Sequence, residues 1–312
     1  MSFAVVFPGQ GSQSLGMLAA LAEAHPEVGA TFEEASRALG YDLWTLTQHG
    51  PEDKLNATER TQPALLAAGV AVWRTWQAQG GRIPAFMAGH SLGEYTALVC
   101  AGALDFTAAM KLVEFRGQAM QQAVPAGQGA MAAILGLDDD AVRAACAEAA
   151  QGEVAEAVNY NAPGQVVIAG QTTAVERAIE ACKGRGAKRA IPLPVSVPSH
   201  CALMKPAALK LAAELEKVSL QPPAIRVLHN VDVSSHDSAA AIRTALTAQL
   251  HNPVRWVETV QRLVHGGVTQ LLELGPGKVL AGLTKRIDKS IEAFPVYDPE
   301  TLQAALVAVG VK

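Results

Sequence analysis

The residues best suited to chemistry lie in a G-x-S-x-G motif at 89–93. A short apolar run at 83–87 precedes the motif and predicts a buried strand, and 95–101 follows it as a predicted helix. A serine at this spacing between strand and helix is typical of a nucleophile elbow, whose glycines let the two elements cross closely. The motif therefore predicts Ser91 as a nucleophile. It also predicts that the Leu92 amide, at the start of the helix, faces a developing oxyanion.

A serine nucleophile needs a base within hydrogen-bond reach, and the chain has eight histidines. His90 is adjacent to Ser91, but neighbouring side chains of an extended segment point to opposite faces. His200 is the best candidate, because Pro194 and Pro198 restrict the loop that presents it. No acidic residue suggests itself as a third member, and a backbone carbonyl can orient an imidazole equally well. We therefore assign no catalytic acid from the residues alone.

One arginine, Arg116, lies among apolar neighbours in a predicted helix that covers 105–122. Ala109, Leu112 and Ala119 share its face at helical spacing. Such an arginine usually snorkels to the surface or forms a structural ion pair. The residues alone leave open whether Arg116 instead binds an anionic substrate.

Composition excludes several classes of protein. With 50% hydrophobic and 17% charged residues, the 312-residue chain can bury one large core or two smaller ones. A formal net charge of -4 argues against non-specific binding to nucleic acid. The four scattered cysteines predict free thiols in a reducing compartment rather than disulfides or a zinc site. Neither a signal peptide nor an 18-residue apolar segment is evident, so we expect a cytoplasmic enzyme with no membrane contact.

Two glycine-rich segments resemble nucleotide loops only superficially. The loop at 9–14, directly after a predicted strand at 3–7, lacks the third glycine of a dinucleotide fingerprint and a lysine for a phosphate loop. The segment at 275–278 has the wrong spacing for a phosphate loop. A loop at the carboxyl end of the first strand is nevertheless where an open α/β sheet builds its site.

From residue 129 onward the pattern of elements changes to β-α-β-β-α-β, which is typical of a ferredoxin-like unit. The predicted elements are strands at 131–135, 154–159, 165–169 and 188–193, with helices at 138–150 and 173–182. We predict an α/β fold with an α/β-hydrolase-like core and a short parallel sheet. The core comprises residues 1–126 and 196–312, and the ferredoxin-like βαββαβ subdomain is inserted at 127–195. The last 20 or so residues are predicted to be peripheral.

Taken together, these features resemble the acyltransferase family of fatty acid and polyketide synthesis. The resemblance covers nearly the whole chain and depends on the loop at 9–13, the elbow at 89–93, Arg116, the pair Ser199-His200 and the segment at 275–277. It implies transfer of a malonyl group from malonyl-CoA to the phosphopantetheine thiol of holo acyl carrier protein. The setting would be bacterial type II fatty acid synthesis, and the resemblance implies no metal and no permanently bound cofactor.

The resemblance also implies roles for individual residues. Ser91 would carry the malonyl group as an ester, and His200 would act as general base and acid. The backbone carbonyl of Gln249 would orient His200, which would explain the missing carboxylate. The backbone amides of Gln10 and Leu92 would form the oxyanion hole.

Substrate recognition follows from the same resemblance. Arg116 would pair with the free carboxylate of malonate, and Asn159 and Asn161 would lie at the mouth between the two subdomains. The implied partners are the acyl carrier protein and a CoA thioester, and a free-standing enzyme of this kind is expected to be a monomer. An acidic carrier could dock on basic residues of the small subdomain, although an ordinary solvated face is an equal alternative: Lys183, Arg185, Lys188 and Arg189.

Three alternatives stay open at this point. A serine hydrolase would share the elbow, but it would need a catalytic Asp or Glu and would give Arg116 no role. A non-catalytic carrier-binding scaffold would bind without forming an acyl-enzyme. A transferase for another acyl group, such as methylmalonyl, would differ in pocket volume near Ser199, and the sequence does not give that volume or the identity of the carrier.

Overall fold

The structure, a computed structural model, describes residues 2–195 and 197–311. The predicted boundary residue Ser196 and the terminal Met1 and Lys312 lie outside these ranges. The described residues form nine strands: β1 (Ser2–Phe7), β2 (Phe86–Gly89), β3 (Gly129–Leu135), β4 (Ala155–Ala162), β5 (Gln165–Gln171), β6 (Arg189–Pro192), β7 (Arg226–Leu228), β8 (Val268–Leu274) and β9 (Glu292–Val296).

The same residues form fourteen α-helices, with a short 3₁₀ turn at Ala202–Met204. The helices are α1 (Ala19–Ala24), α2 (Pro26–Leu39), α3 (Leu43–His49), α4 (Glu52–Asn56), α5 (Thr58–Ala78), α6 (Gly93–Cys100), α7 (Phe106–Ala123), α8 (Asp139–Ala150), α9 (Thr172–Gly184), α10 (Lys205–Leu215), α11 (Ala239–Gln249), α12 (Trp256–His265), α13 (Val279–Ile287) and α14 (Pro299–Val309). Within the described residues, no helix combines the length and the apolar character that a membrane span requires.

The larger sheet has five parallel strands in the order β7-β2-β1-β8-β9. The central strand β1 is apolar along its whole buried length, as expected for a parallel strand that helices cover on both faces. Its residues alternate between two cores: Phe3, Val5 and Phe7 pack into one, and Ala4 and Val6 pack into the other. The strands β1 and β2 end side by side, which brings the loop after Phe7 next to the serine turn.

The smaller sheet has four antiparallel strands in the order β4-β5-β3-β6. Helices α8 and α9 join its strands in the predicted β-α-β-β-α-β order and cover one face. The other face packs Met131, Val158 and Val167 against Cys201. The predicted fold class is confirmed, whereas the exact division at residues 127–195 stays a prediction.

Backbone hydrogen bonds also join the smaller sheet to a loop of the larger unit. The Val254 amide donates to the Val158 carbonyl at 2.8 Å, and the Tyr160 amide donates to the Val254 carbonyl at 3.0 Å. A loop of the larger unit thereby extends the edge of β4.

Two predictions about elements are wrong in detail. The segment Thr61-Gln62-Pro63 predicts a helix that begins at Thr61, but α5 begins at Thr58 and Pro63 lies inside it. The last residues are not peripheral, because β9 pairs with β8 and α14 buries Leu302 and Leu306. A proline within β9 weakens its strand signal in the sequence, although the edge of a sheet tolerates proline.

Candidate active site

Ser91 lies in a sharp turn between β2 and α6 with a backbone φ of 51°, which is in the left-handed region. The predicted close crossing of strand and helix is confirmed by the flanking glycines. A Cβ on Gly89 would lie 1.9 Å from the Gly93 carbonyl carbon, and a Cβ on Gly93 would lie 2.1 Å from the Phe7 carbonyl oxygen. Only glycine fits at these two positions, so the motif's spacing has a steric cause.

The imidazole of His200 lies between the serine and a backbone carbonyl. Its Nε2 is 2.8 Å from Ser91 Oγ, and its Nδ1 is 2.7 Å from the carbonyl oxygen of Gln249. A carbonyl oxygen only accepts hydrogen bonds, so Nδ1 carries the proton and Nε2 is free to accept from the serine hydroxyl. The geometry is that of a nucleophile and an oriented base without a carboxylate.

The electrostatic surroundings keep His200 neutral. Burial, the charge of Arg116 and the nearby His90 lower the pKa of His200 to about 3, against the opposing hydrogen bond to Gln249. The ring is therefore unprotonated at neutral pH, which is the form that a base requires.

Two backbone amides near the serine have no hydrogen-bond acceptor among the described residues. They belong to Gln10, in the loop after β1, and to Leu92. The neighbouring amides are occupied: Ser91 N–H donates to Asn230 Oδ1 at 2.7 Å, and Gly93 N–H donates to the His90 carbonyl at 2.9 Å. The free amides of Gln10 and Leu92 fit the donors of an oxyanion hole.

Arg116, on α7, is almost completely buried, with 1% of its surface exposed. Its Nη1 donates to Gln62 Oε1 at 2.8 Å, and its Nη2 lies 3.0 Å from Gln249 Oε1 and 3.3 Å from Ser91 Oγ. Burial lowers the pKa of Arg116, while Tyr95 and Glu94 oppose that shift. Among the described residues, no carboxylate lies within ion-pair distance of its guanidinium. Arg116 is therefore neither a snorkelling side chain nor half of a direct ion pair.

A cavity of about 110 Å³ lies between the two sheets and contains these groups. Gln10, Ser91, Arg116 and His200 line it, and so does Asn159, whose buried Oδ1 has no partner among the described residues. Asn161 does not line the cavity. Its Oδ1 instead accepts a hydrogen bond of 2.8 Å from His90 Nε2, which links the small sheet to the elbow.

Comparisons with known proteins identify the family of the chain. The family model described as an acyl transferase domain matches residues 4–301. The chain belongs to the acyl transferase family. This membership confirms the resemblance stated above.

Relatives of this acyl transferase have specific names. A malonyl CoA-acyl carrier protein transacylase of Salmonella typhimurium is 62% identical over 304 residues, covering 97% of this chain and 98% of the relative. The protein of the same name from Bacillus subtilis is 44% identical over 304 residues, covering 97% and 96%.

Solved structures show the same fold as the acyl transferase. An acyl carrier protein S-malonyltransferase from Vibrio cholerae has a TM-score of 0.96 at 62% identity and covers 98% of this chain and 100% of its own. A malonyl-transacylase in complex with its type II polyketide synthase acyl carrier protein has a TM-score of 0.98 at 61% identity, with 99% and 100% covered.

The structure of the acyl transferase brings most of the sequence-predicted site residues together. Hydrogen bonds join four of them in a ring: Ser91 to His200, His200 to Gln249, Gln249 to Arg116, and Arg116 to Ser91. The roles assigned to these residues stay predictions. Within the described ranges, no group of three or more metal-ligating side chains is present.

Sequence reasoning missed four buried polar residues around the acyl transferase site: Gln62, Glu94, His229 and Asn230. Glu94 follows the elbow motif directly, and Asn230 comes shortly after β7 at the carboxyl edge of the sheet. A polar residue at such a strand end is a signal that could have found Asn230. The contacts of Glu94 span more than 130 residues and leave no local pattern.

Proposed function

We propose that this acyl transferase moves the malonyl group of malonyl-CoA to the phosphopantetheine thiol of holo acyl carrier protein through an ester on Ser91. The observation that carries the proposal is the buried guanidinium of Arg116, which has no carboxylate partner and lies beside an oriented serine–histidine pair. A cation held in that position is matched to an acyl group that ends in an anion. The names of the relatives support the same donor and acceptor.

In the first half-reaction, His200 Nε2 takes the proton from Ser91 Oγ as the oxygen attacks the thioester carbonyl. The tetrahedral oxyanion faces the backbone amides of Gln10 and Leu92, and one such donor is typically worth about 10²–10³ in rate. The intermediate collapses when the C–S bond breaks. The proton held by His200 then passes to the departing CoA sulfur.

The second half-reaction reverses these roles. The phosphopantetheine thiol of the carrier gives its proton to His200 and attacks the ester carbonyl of malonyl-Ser91. Collapse of the second tetrahedral intermediate breaks the bond to Ser91 Oγ, which regains its proton from His200. The two substrates thus use one cavity in turn, which predicts ping-pong kinetics.

Arg116 gives this chemistry its proposed selectivity. A malonyl carboxylate would pair with the guanidinium, and each charge-assisted hydrogen bond is worth about 1.5–3 kcal/mol. An acetyl group would leave the buried cation unpaired. Burial is the main cause of the low pKa of His200, and the charge of Arg116 adds to it; the pair would neutralise that charge, so that the correct substrate strengthens the base.

Asn159 is proposed to bind the pantetheine arm that both substrates share. Asn159 lines the cavity, and its Oδ1 is buried and lacks a partner among the described residues. An amide N–H of the arm would satisfy that acceptor. For Asn161 the contact with His90 supports a different role, in which it holds the rim of the cavity instead of binding the substrate.

The proposed docking surface for the carrier lies on β6 and the turn before it. Two of the four basic residues predicted there already have acidic partners: Lys183 pairs with Glu180, and Arg185 pairs with Glu148. The other two, Lys188 and Arg189, are exposed and have no acidic partner among the described residues. The chain then continues from β6 to Leu193 and Val195, which line the cavity, so these two charges best suit an acidic carrier. We expect the enzyme to act as a monomer.

The alternative of a serine hydrolase has less support. A hydrolase of the α/β type orients its histidine with a carboxylate, but His200 Nδ1 contacts a main-chain oxygen. Transfer to another carboxylated acyl group, such as methylmalonyl, would use Arg116 in the same way. The names of the relatives favour the malonyl group.

The proposal is tested by following the fate of the malonyl group with two forms of the carrier. With malonyl-CoA and holo carrier, we expect malonyl-carrier and free CoA in equal amounts with little free malonate. The apo carrier, which lacks the thiol, is the matched control and should stop turnover after one acylation. Steady release of free malonate with either carrier form would instead establish a hydrolase.

A further inference from the structure

Behind the serine turn lies a buried polar cluster whose side chains take no part in the proposed proton transfers. Glu94, His229, Asn230 and Gln249 are each 0% exposed. Four polar side chains completely removed from water are costly unless every one is well bonded. Their contacts show what the cluster holds in place.

Glu94, in the first turn of α6, accepts three hydrogen bonds. Its Oε1 accepts from His229 Nδ1 at 2.7 Å. Its Oε2 accepts from the backbone amide of Asn230 and from Gln249 Nε2, both at 2.9 Å. Burial lowers the pKa of His229, but the charge and hydrogen bond of Glu94 outweigh burial and raise it. The carboxylate is therefore the centre of the cluster.

Asn230 connects the carboxylate to the elbow. Its Oδ1 accepts from the Ser91 amide at 2.7 Å, and its Nδ2 donates to the Gly89 carbonyl at 2.7 Å. The side chain thus bridges the two sides of the turn that holds Ser91 in its left-handed conformation. A backbone in that region persists only where its surroundings enforce it.

Gln249 connects the same carboxylate to the cation. Its Nε2 donates to Glu94 Oε2 and to the Ser91 carbonyl, each at 2.9 Å, and its Oε1 accepts from Arg116 Nη2 at 3.0 Å. The orientation of the amide follows from these contacts. With its NH₂ directed to Glu94, its oxygen must face Arg116.

We propose that Glu94 is a positioning residue that holds the nucleophile and the substrate-binding arginine in one frame, through Asn230 on one side and Gln249 on the other. The inference rests on the proposed malonyl transfer only for the role of Arg116. The part that concerns Ser91 depends on the elbow alone.

The test compares Glu94→Ala with Glu94→Gln. In Glu94→Gln, the amide oxygen can take the place of Oε2 and accept from Asn230 and Gln249, as in the wild type. The amide NH₂ can donate to His229 Nδ1 when that ring is neutral and carries its proton on Nε2, a buried atom without a partner among the described residues. The glutamine variant therefore keeps the hydrogen bonds to Asn230 and Gln249, reverses the one to His229 and removes the charge, whereas the alanine variant loses all three hydrogen bonds.

Glu273→Ala serves as the matched control. Glu273 is likewise 0% exposed, lies on β8 of the larger sheet and accepts from two backbone amides, of Leu280 and Ala281. Neither Glu273 nor these two hydrogen-bond partners are among the residues that line the cavity. Any general consequence of losing a buried carboxylate should appear in this variant too, as a lower melting temperature with unchanged acyl selectivity.

The rate of acylation is measured by intact mass with malonyl-CoA and with acetyl-CoA, at a temperature where each variant is folded. A displaced reacting group typically costs about 100-fold in rate, so we expect Glu94→Ala to lose about that factor with malonyl-CoA. The ratio of malonyl to acetyl rates should also fall about tenfold as Arg116 loses its orientation. Glu94→Gln should recover to within about tenfold of the wild-type rate.

Three results would overturn the proposal. They are a Glu94→Ala enzyme within about threefold of wild type, a folded Glu94→Gln enzyme as slow as Glu94→Ala, and equal loss on both acyl groups. Labelling of Ser91 by a fluorophosphonate, which needs no malonyl recognition, separates this proposal from the proposed function. If the wild type is labelled but forms no malonyl adduct, the proposed function fails, and a slower labelling of Glu94→Ala than of Glu273→Ala still supports the positioning role.

Discussion

Replacing Arg116 with methionine should change the enzyme's choice of acyl group more than its chemistry. Methionine fills a similar volume without a charge. The guanidinium can offer a malonyl carboxylate two charge-assisted hydrogen bonds, each worth about 1.5–3 kcal/mol. Losing both removes about 3–6 kcal/mol of stabilisation from the transition state of malonyl transfer. The acylation rate with malonyl-CoA should therefore fall by a factor of about 10²–10⁴.

The acetyl group has no carboxylate, so its rate should stay within about tenfold of the wild type. The measurement is rapid-quench acylation followed by intact mass, with malonyl-CoA and acetyl-CoA in parallel. Arg74→Met is the control, because Arg74 pairs with Glu34 away from the cavity. An equal loss on both acyl groups in Arg116→Met would refute selection by the guanidinium and would make Arg116 a structural residue.

Three further predictions follow from the geometry. Gly93→Ala should destabilise the fold by more than about 2 kcal/mol, because its Cβ would meet the Phe7 carbonyl oxygen at 2.1 Å. Gly282→Ala is the control, since Gly282 lies in a helix with open space around it, and this variant should stabilise the fold by about 0.4–1 kcal/mol. Urea unfolding measures both changes. Burial raises the pKa of Glu273 to about 6, above the ~4.3 of an unfolded chain. The folded state therefore holds that proton more tightly, and the free energy of unfolding should fall by about 2 kcal/mol from about pH 4 to 7, a fall that Glu273→Gln removes. The pKa of His200, lowered to about 3, predicts that kcat/KM for acetyl-CoA stays flat well below pH 6.5. Arg116→Met removes one of the charges that lower this pKa, so the fall of kcat/KM at acid pH should move to higher pH. An unchanged pH profile would show that the charge of Arg116 does not lower the pKa of His200.

The elbow could be predicted from sequence because its causes are local. The glycine spacing and the strand and helix around Ser91 all lie within about twenty residues. The ferredoxin-like unit could be predicted for the same reason, since each of its strands and helices shows its own periodicity of apolar residues. In both cases the structure shows the expected elements within a few residues of their predicted limits.

The remainder of the site depends on contacts between distant parts of the chain. The ring of His200 is oriented by a carbonyl 49 residues away, and Glu94 meets His229 across 135 residues. A backbone acceptor leaves no residue type to search for, so only the family resemblance pointed to Gln249. Glu94 was missed because a buried carboxylate next to a motif resembles any polar helix residue until its partners are known. Strand β9 was missed because its proline obscured the pattern of an edge strand.

The central claim is that Ser91 carries the malonyl group between the two thiols. The most direct measurement is the intact mass of the enzyme after mixing with malonyl-CoA in the absence of carrier, beside Ser91→Ala. We predict one malonyl adduct on the wild type, none on Ser91→Ala, and complete loss of the adduct when holo carrier is added. An adduct that persists on Ser91→Ala, or one that the holo carrier cannot discharge, would contradict the account.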